Sequence, residues 1–191
     1  MGKGGGMTVR RVLSVCCFIL AALNIAVIFA LSGEGQNASN SRSQQVTSTI
    51  LNTLDPERKD APVRRVDEVM DFFHPIIRKA AHFTEYASLG FLSCLGFLFL
   101  GLRPWPRALY PALIGLITAM SDELYQSTVP GRSPMVTDVM LDAAGAAAGI
   151  LLVCLIHYAL SRLSARRRTR PANGRRRSGY RSAPGGRVPP I

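Results

Sequence analysis

Cysteine and acidic residues are both scarce in this sequence. It has four cysteines in 191 residues, and its 12 acidic side chains are outnumbered by 23 basic ones. The cysteines lie in apolar stretches and form no Cys-x-x-Cys pair; they are Cys16, Cys17, Cys94 and Cys154. Neither a disulfide framework nor a thiolate metal site is therefore indicated. The sequence also shows no internal repeat and no glycine-rich phosphate-binding loop.

Apolar residues, by contrast, are concentrated in long runs. They make up 48% of the chain and collect in four blocks of about 20 residues: 12–31, 80–102, 108–126 and 139–160. A helix of about 20 residues crosses a hydrocarbon core of roughly 30 Å. The sequence therefore predicts an all-α integral membrane bundle of about four transmembrane helices. An amphipathic segment over residues 63–73 is predicted to lie at the outer membrane surface, ending at His74-Pro75.

The first block has two interpretations. Basic residues precede it and Ala30-Leu31-Ser32 resembles a cleavage site, as in a secretory signal peptide. Its apolar run is longer than the roughly 7–15 residues of a signal core. This favours an uncleaved anchor, with cleavage left open.

Basic residues flank the blocks on alternate sides and predict the topology. Arg10 and Arg11 precede the first block, Arg103 and Arg107 lie between the second and third, and an arginine-rich segment follows the fourth. Such residues favour the cytoplasmic side. We expect a multi-pass protein of the cell membrane with both termini in the cytoplasm.

Four regions are predicted along the chain. They are an N-terminal transmembrane anchor over residues 1–34, an extracytoplasmic linker over 35–62, a membrane domain of three transmembrane helices over 63–160, and a disordered Arg-rich cytoplasmic tail over 161–191. The tail holds ten arginines and no acid, so the rest of the chain carries only +1 of the net +11. Such a tail is attracted to anionic inner-leaflet lipid, by about 1 kcal/mol per charge. Nothing resembling a nucleic-acid-binding fold accompanies it, so no nucleic-acid partner is expected.

Ionisable residues also lie at one end of three of the apolar blocks. The spacing of Arg78, His82 and Glu85 places them on one helix face. In the predicted topology, these side chains and those at the end of the third block and the start of the fourth all lie at the outer surface. We therefore expect one outward-facing polar pocket, formed by Arg78, Lys79, His82, Glu85, Asp122, Glu123, Gln126, Arg132, Asp138 and Asp142.

The pocket admits several chemistries. His82 and a carboxylate can act as base and acid, while Arg78, Lys79 and Arg132 hold a phosphate or carboxylate. A proton relay through the acids is a second option. Divalent-cation binding by His82, Glu85, Asp122 and Asp142 is a third, but no metal-ligand spacing is present and no metal is predicted. A purely structural role, with Arg78 paired to an acid and Asp138 at a helix N-terminus, stays open as well.

Two stretches resemble the VanZ-like family. "RKAAHFTEYASLGFL" at residues 78–92 and "SDELYQSTVPGRSPMVTDVMLDAAGAAAG" at 121–149 are similar to the two motifs that its members share on neighbouring membrane helices. The resemblance covers about residues 65–160. It carries over onto Arg78, Lys79, His82, Glu85, Tyr86, Gly90, Ser121, Asp122, Glu123, Gln126, Pro130, Arg132, Asp138 and Gly145. Asp142 stands where the family usually has Asn.

The resemblance implies a bacterial envelope protein, because the family's founding member is associated with low-level teicoplanin resistance. We expect binding or modification of an anionic envelope molecule, such as a lipid-linked cell-wall precursor or a phospholipid head group. The expected catalytic residues are His82, Glu85, Asp122 and Asp142, and the expected substrate-binding residues are Arg78, Lys79, Tyr86, Glu123, Gln126, Arg132 and Asp138. A small proton-coupled transporter and a non-catalytic membrane scaffold are the alternatives. Turnover, cofactor and oligomeric state stay open.

Overall fold

A computed structural model of the chain describes residues 3–34, 36–54, 63–130 and 135–168. Five α-helices occupy these ranges, and no strand occurs among the described residues. They are α1 (Lys3–Ser32), α2 (Gln36–Leu54), α3 (Val63–Leu100), α4 (Pro104–Gln126) and α5 (Val136–Arg168). The predicted all-α class is confirmed.

Three helices are long and apolar enough to cross a membrane. The spans are Met7–Ser32 in α1, Pro75–Leu100 in α3 and Val136–Arg166 in α5. They correspond to the first, second and fourth predicted blocks. The third block forms α4, a helix of 23 residues that contains Arg107, Asp122 and Glu123 and is not among the three spans. A membrane crossing by α4 stays a prediction.

The turn between α3 and α4 follows from its sequence. Gly101 adopts a φ of 79°, a conformation that side chains with a Cβ avoid. The amide of Gly101 donates to the Leu98 carbonyl and the amide of Leu102 to the Phe97 carbonyl, which is the Schellman pattern of a helix C-terminus. Pro104 then begins α4, where its missing N–H has no helical partner to lose.

The predicted break at His74-Pro75 is wrong. Residues 63–73 and the membrane span that follows form one helix, α3, with Pro75 inside it. A proline removes one backbone hydrogen bond and crowds the carbonyl four residues earlier, which bends a helix more often than it ends one.

Two further segments are more helical than predicted. Gln36–Leu54, in the expected linker, forms α2, which contacts α3 and buries Thr47 completely. The hydroxyl groups of Thr49 and Thr53 donate to carbonyls one turn back, so these polar side chains find hydrogen-bond partners within their own helix.

In the predicted disordered tail, residues 161–168 continue α5, since arginine and alanine favour helix. Residues 169–191 lie outside the described range.

Residues 1–156 and 157–191 form two separate units. The described part of the second is the C-terminal portion of α5. There Arg162 Nε donates to the Tyr158 hydroxyl over 2.9 Å, and the guanidinium lies 5.1 Å from the ring centroid. This pair holds one basic side chain against the helix surface.

The core of the first unit is built from small and aromatic side chains. Tyr86 and Leu89 of α3 are fully buried against residues of α1, α4 and α5; the cluster is completed by Ala21, Ile28, Ala119 and Ala146. Large apolar side chains such as Leu151, Leu155 and Ile117 are exposed. In a membrane these outer faces meet lipid, so packing between the helices depends on close contact of small residues.

Glycines bring α3 and α5 into backbone contact. A Cβ on Gly145 would collide with the carbonyl oxygen of Phe83, and a Cβ on Gly149 with that of Ala87. One turn further along α3, a Cβ on Gly90 would collide with the carbonyl oxygen of Ala146. The small-residue stripe of α5 therefore serves an internal helix–helix contact.

A polar contact joins α1 to α3 within their apolar spans. Asn24 Nδ2 donates to Ser88 Oγ over 2.7 Å, and Ser88 in turn donates to the Glu85 carbonyl. Hydrogen bonds between membrane helices contribute about 0.6 kcal/mol on average. In a double-mutant cycle of Asn24→Ala and Ser88→Ala, we expect a coupling free energy of about that size, measured by reversible unfolding in detergent. Strict additivity of the two single substitutions would contradict the assignment.

Candidate functional site

Three polar side chains from three helices meet at one point. His82 of α3, Asp122 of α4 and Asp142 of α5 each offer one nitrogen or oxygen atom, and these atoms lie within 4.8 Å of one another. The glycine contacts explain this placement, because Phe83 and Gly145, which touch, are one and three residues from His82 and Asp142. The sequence predicted that these residues converge.

The two aspartates of this trio are buried. Asp122 is 0% exposed and Asp142 3% exposed, whereas His82 is partly buried. Burying a carboxylate away from water is costly unless hydrogen bonds or opposite charges compensate it. The surroundings of each carboxylate therefore decide what the site can bind.

Asp122 is held at one of its oxygens only. Gln126 Nε2 donates to Asp122 Oδ2 over 2.8 Å and also approaches Ser32 Oγ at 3.2 Å. Asp122 Oδ1 and Asp142 Oδ1 are buried and accept no hydrogen bond from any described residue. One oxygen of each aspartate is thus open to a further partner, and at Asp122 the hydroxyl of Tyr86 is one such group within the protein.

Carboxylates dominate the surroundings of Asp142. Those of Asp122, Asp138, Glu123 and Glu85 all act on it electrostatically. The fully buried hydroxyl of Tyr86 lies near the carboxylates of Asp122, Asp142 and Glu85, and Asp122 is the one placed to accept a hydrogen bond from it. Such a site favours a cation over a bare anion.

Comparison with known proteins gives one match. A sequence model of the VanZ/LLP1 family matches residues 16–157. The chain belongs to the VanZ/LLP1 family. No curated protein and no solved structure matches it significantly. Together with the three apolar helices, this establishes a VanZ-like membrane protein.

The family match includes most of α1, which the motif resemblance had left outside. It begins at residue 16, whereas the motif-bearing stretches begin at residue 78. The structure shows how α1 takes part, because Ser32, its last residue, is 1% exposed and bonded to Gln126. Sequence reasoning missed Ser32. A serine beside a glycine at the end of an apolar run carries no signal of its own.

The other predicted site residues of this VanZ-family chain are not part of the trio of His82, Asp122 and Asp142. Arg78 is partly buried and Lys79 exposed, one helical turn before His82. Glu85 is partly buried, one turn after it. Asp138 is partly buried in the first turn of α5, where a negative charge is favoured by the helix dipole. Arg132 lies outside the described residues.

Glu123 has a structural contact in addition to its place near the site. Its Oε1 accepts a hydrogen bond of 2.5 Å from the backbone amide of Met135. This bond ties the segment before α5 to the end of α4. Substitutions of Glu123 would therefore disturb the connection between the two helices as well as the charge of the site.

Proposed function

We propose that this VanZ-like protein binds or modifies an anionic molecule of the bacterial cell envelope at the polar site, and that this contributes to tolerance of teicoplanin. The observation that carries the proposal is the meeting of His82, Asp122 and Asp142 from three helices. Ionisable groups within membrane helices cost about 2.5–3.5 kcal/mol each on insertion scales and usually serve a function. Two buried aspartates and a histidine exceed what helix pairing requires.

The site divides into a basic part and an acidic part. Arg78 and Lys79 precede His82 by one turn of α3, whereas the aspartates come from α4 and α5. In the proposal, the basic pair binds a phosphate or carboxylate by charge-assisted hydrogen bonds. His82 is then placed to exchange a proton with a group of the same ligand, with a carboxylate as its partner.

The proposed location follows the positive-inside topology. With both termini in the cytoplasm and α4 as a fourth crossing, the start of the α3 span, the end of α4 and the start of α5 face outward, where envelope precursors and lipid head groups are exposed. The arginines that follow α5 would lie at the anionic inner leaflet. This topology supports an envelope ligand over a cytoplasmic one.

The test is drug susceptibility in a sensitive Gram-positive host. We expect the wild-type chain to raise the minimum inhibitory concentration of teicoplanin, with vancomycin measured alongside. Arg78→Ala should lose the effect because the anion is no longer held, and Glu85→Gln because the acid no longer exchanges a proton. Arg162→Ala, which removes an arginine paired with Tyr158, is the matched control and should behave as the wild type.

Membrane levels are compared by immunoblot, so that a loss of expression is not mistaken for a loss of function. Susceptibility equal to the empty vector, with the wild-type chain present in the membrane, would refute the link to teicoplanin. If Arg78→Ala abolishes tolerance and Glu85→Gln keeps it, the site binds its ligand without acid–base chemistry. That outcome would favour the scaffold alternative.

A further inference from the structure

We propose that His82, Asp122 and Asp142 bind a divalent cation that accepts mixed nitrogen and oxygen ligands, Zn²⁺ or Mn²⁺. One imidazole and two carboxylates come together from three helices. The proposal concerns the cation alone and does not rest on the proposed function, because it can be measured with no envelope molecule present. A divalent cation was one option that the sequence offered for His82, Glu85, Asp122 and Asp142, and the packed helices bring three of these four together.

The distances suit such an ion. Three atoms at most 4.8 Å apart share a point no further than about 2.8 Å from each of them, and modest side-chain rotations shorten this to the roughly 2.0–2.2 Å of Zn–N and Zn–O bonds. The backbone contact of Gly145 with Phe83 fixes α3 and α5 next to the site. The required adjustment therefore falls to side chains.

The unpartnered oxygens point to the same ligand. Asp122 and Asp142 are both more than nine-tenths buried, and one oxygen of each has no hydrogen bond from a described residue. At Asp122 the other oxygen is bonded to Gln126, which also bonds Ser32. Partners of this kind orient a metal-binding carboxylate. Oδ1 is the atom left to bind the ion.

Charge supplies a further reason. The carboxylates of Asp122, Asp138, Glu123 and Glu85 all act on Asp142. A divalent cation between Asp122 and Asp142 converts mutual repulsion into attraction.

The mixture of donor atoms selects the class of ion. Imidazole suits Zn²⁺ and other transition metals, while sites built from carboxylates and water suit Mg²⁺ and Ca²⁺. Three protein ligands leave a position open for water or for a ligand oxygen. A phosphate held by Arg78 and Lys79 is one such ligand, so the cation would reconcile an acidic site with an anionic substrate.

The experiment uses the full chain, without a polyhistidine tag, in nanodiscs of phosphatidylcholine after treatment with chelator. Zn²⁺, Mn²⁺ and Mg²⁺ are titrated separately by calorimetry, and bound metal is counted by mass spectrometry. We expect one Zn²⁺ or Mn²⁺ per chain and weaker binding of Mg²⁺. His82→Asn and Asp142→Asn should each lower the affinity by more than about 100-fold, since they remove direct ligands. His157→Asn, the matched histidine control, should not lower it.

A second measurement avoids variants of the site. The chain has three histidines, so the double substitution His74→Asn and His157→Asn leaves His82 alone. Pulsed electron paramagnetic resonance of bound Mn²⁺ in that variant should show coupling to an imidazole nitrogen. A bound ion without this coupling overturns the proposal, as does equal Zn²⁺ affinity of wild type and Asp142→Asn, or no binding by the wild type.

Discussion

Gly149→Ala and Gly90→Ala will each lower the stability of the protein, although alanine is the better helix former. At Gly149 the added Cβ would lie 2.7 Å from the backbone nitrogen of Phe91, and at Gly90 2.8 Å from the backbone carbon of Ala146. Backbone atoms of a packed helix cannot rotate away, so α3 and α5 must separate. Overpacking of this kind costs typically about 1–3 kcal/mol, against a gain in helix propensity of about 1 kcal/mol.

The effect is measured as the unfolding temperature in detergent. Unfolding is monitored by the fraction of protein that remains in the monodisperse size-exclusion peak after heating. Ala147→Leu is the matched control, because Ala147 lies on the same helix with its side chain exposed. We expect Ala147→Leu to have the unfolding temperature of the wild type, well above the unfolding temperatures of the two glycine variants. Equal unfolding temperatures for all four proteins would mean that α3 and α5 are not in contact at these positions.

Asp142→Asn will stabilise the protein in the presence of chelator and remove its response to metal. In the wild type a buried carboxylate with one unpartnered oxygen lies among four other acids. Replacing an uncompensated buried charge by a neutral group of the same shape should stabilise the fold by on the order of 1–3 kcal/mol. Zn²⁺ at 100 times its dissociation constant should stabilise the wild type by about 2.7 kcal/mol. The difference in stability between Asp142→Asn and the wild type should therefore shrink or change sign when Zn²⁺ is added.

Unfolding temperatures of both proteins are recorded with chelator and with Zn²⁺. Asp138→Asn is the control. This partly buried side chain lies in the first turn of α5, where the helix dipole stabilises its negative charge. Asp138→Asn should keep the stabilisation by Zn²⁺, because Asp138 is not one of the three proposed ligands. A destabilised Asp142→Asn in chelator would show that the carboxylate is compensated by the protein itself.

The sequence predicted the helices whose signal is local. Blocks of about 20 apolar residues indicate membrane helices, and three of the four blocks correspond to the spans in α1, α3 and α5. The stripe of polar residues likewise placed His82, Asp122 and Asp142 together, because helical periodicity and topology bring them to one end of the bundle. Whether they act in catalysis or binding stays a prediction.

What the sequence could not show depends on contacts between distant segments. α2 is polar over its first half, with Val46, Ile50 and Leu54 confined to the second, and it packs against α3. Its overall composition therefore indicated a linker. Pro75 indicated a helix boundary, because the sequence does not show the contacts with other helices that stabilise α3 on both sides of it. The bond from Gln126 to Ser32 spans 94 positions of the chain. The ligand geometry of the trio is equally invisible, since its members are separated by 40 and 20 residues.

The glycine contacts between α3 and α5 also limit how a ligand reaches the site. With two backbones touching at Gly145 and Gly149, these helices cannot spread to admit a bulky group between them. α4 meets α5 through the side chain of Ala146 opposite Gly115, and the Met135 amide donates to Glu123 Oε1 at the end of α4. A ligand of the proposed site would therefore have to enter past α4 or α1 and not between α3 and α5.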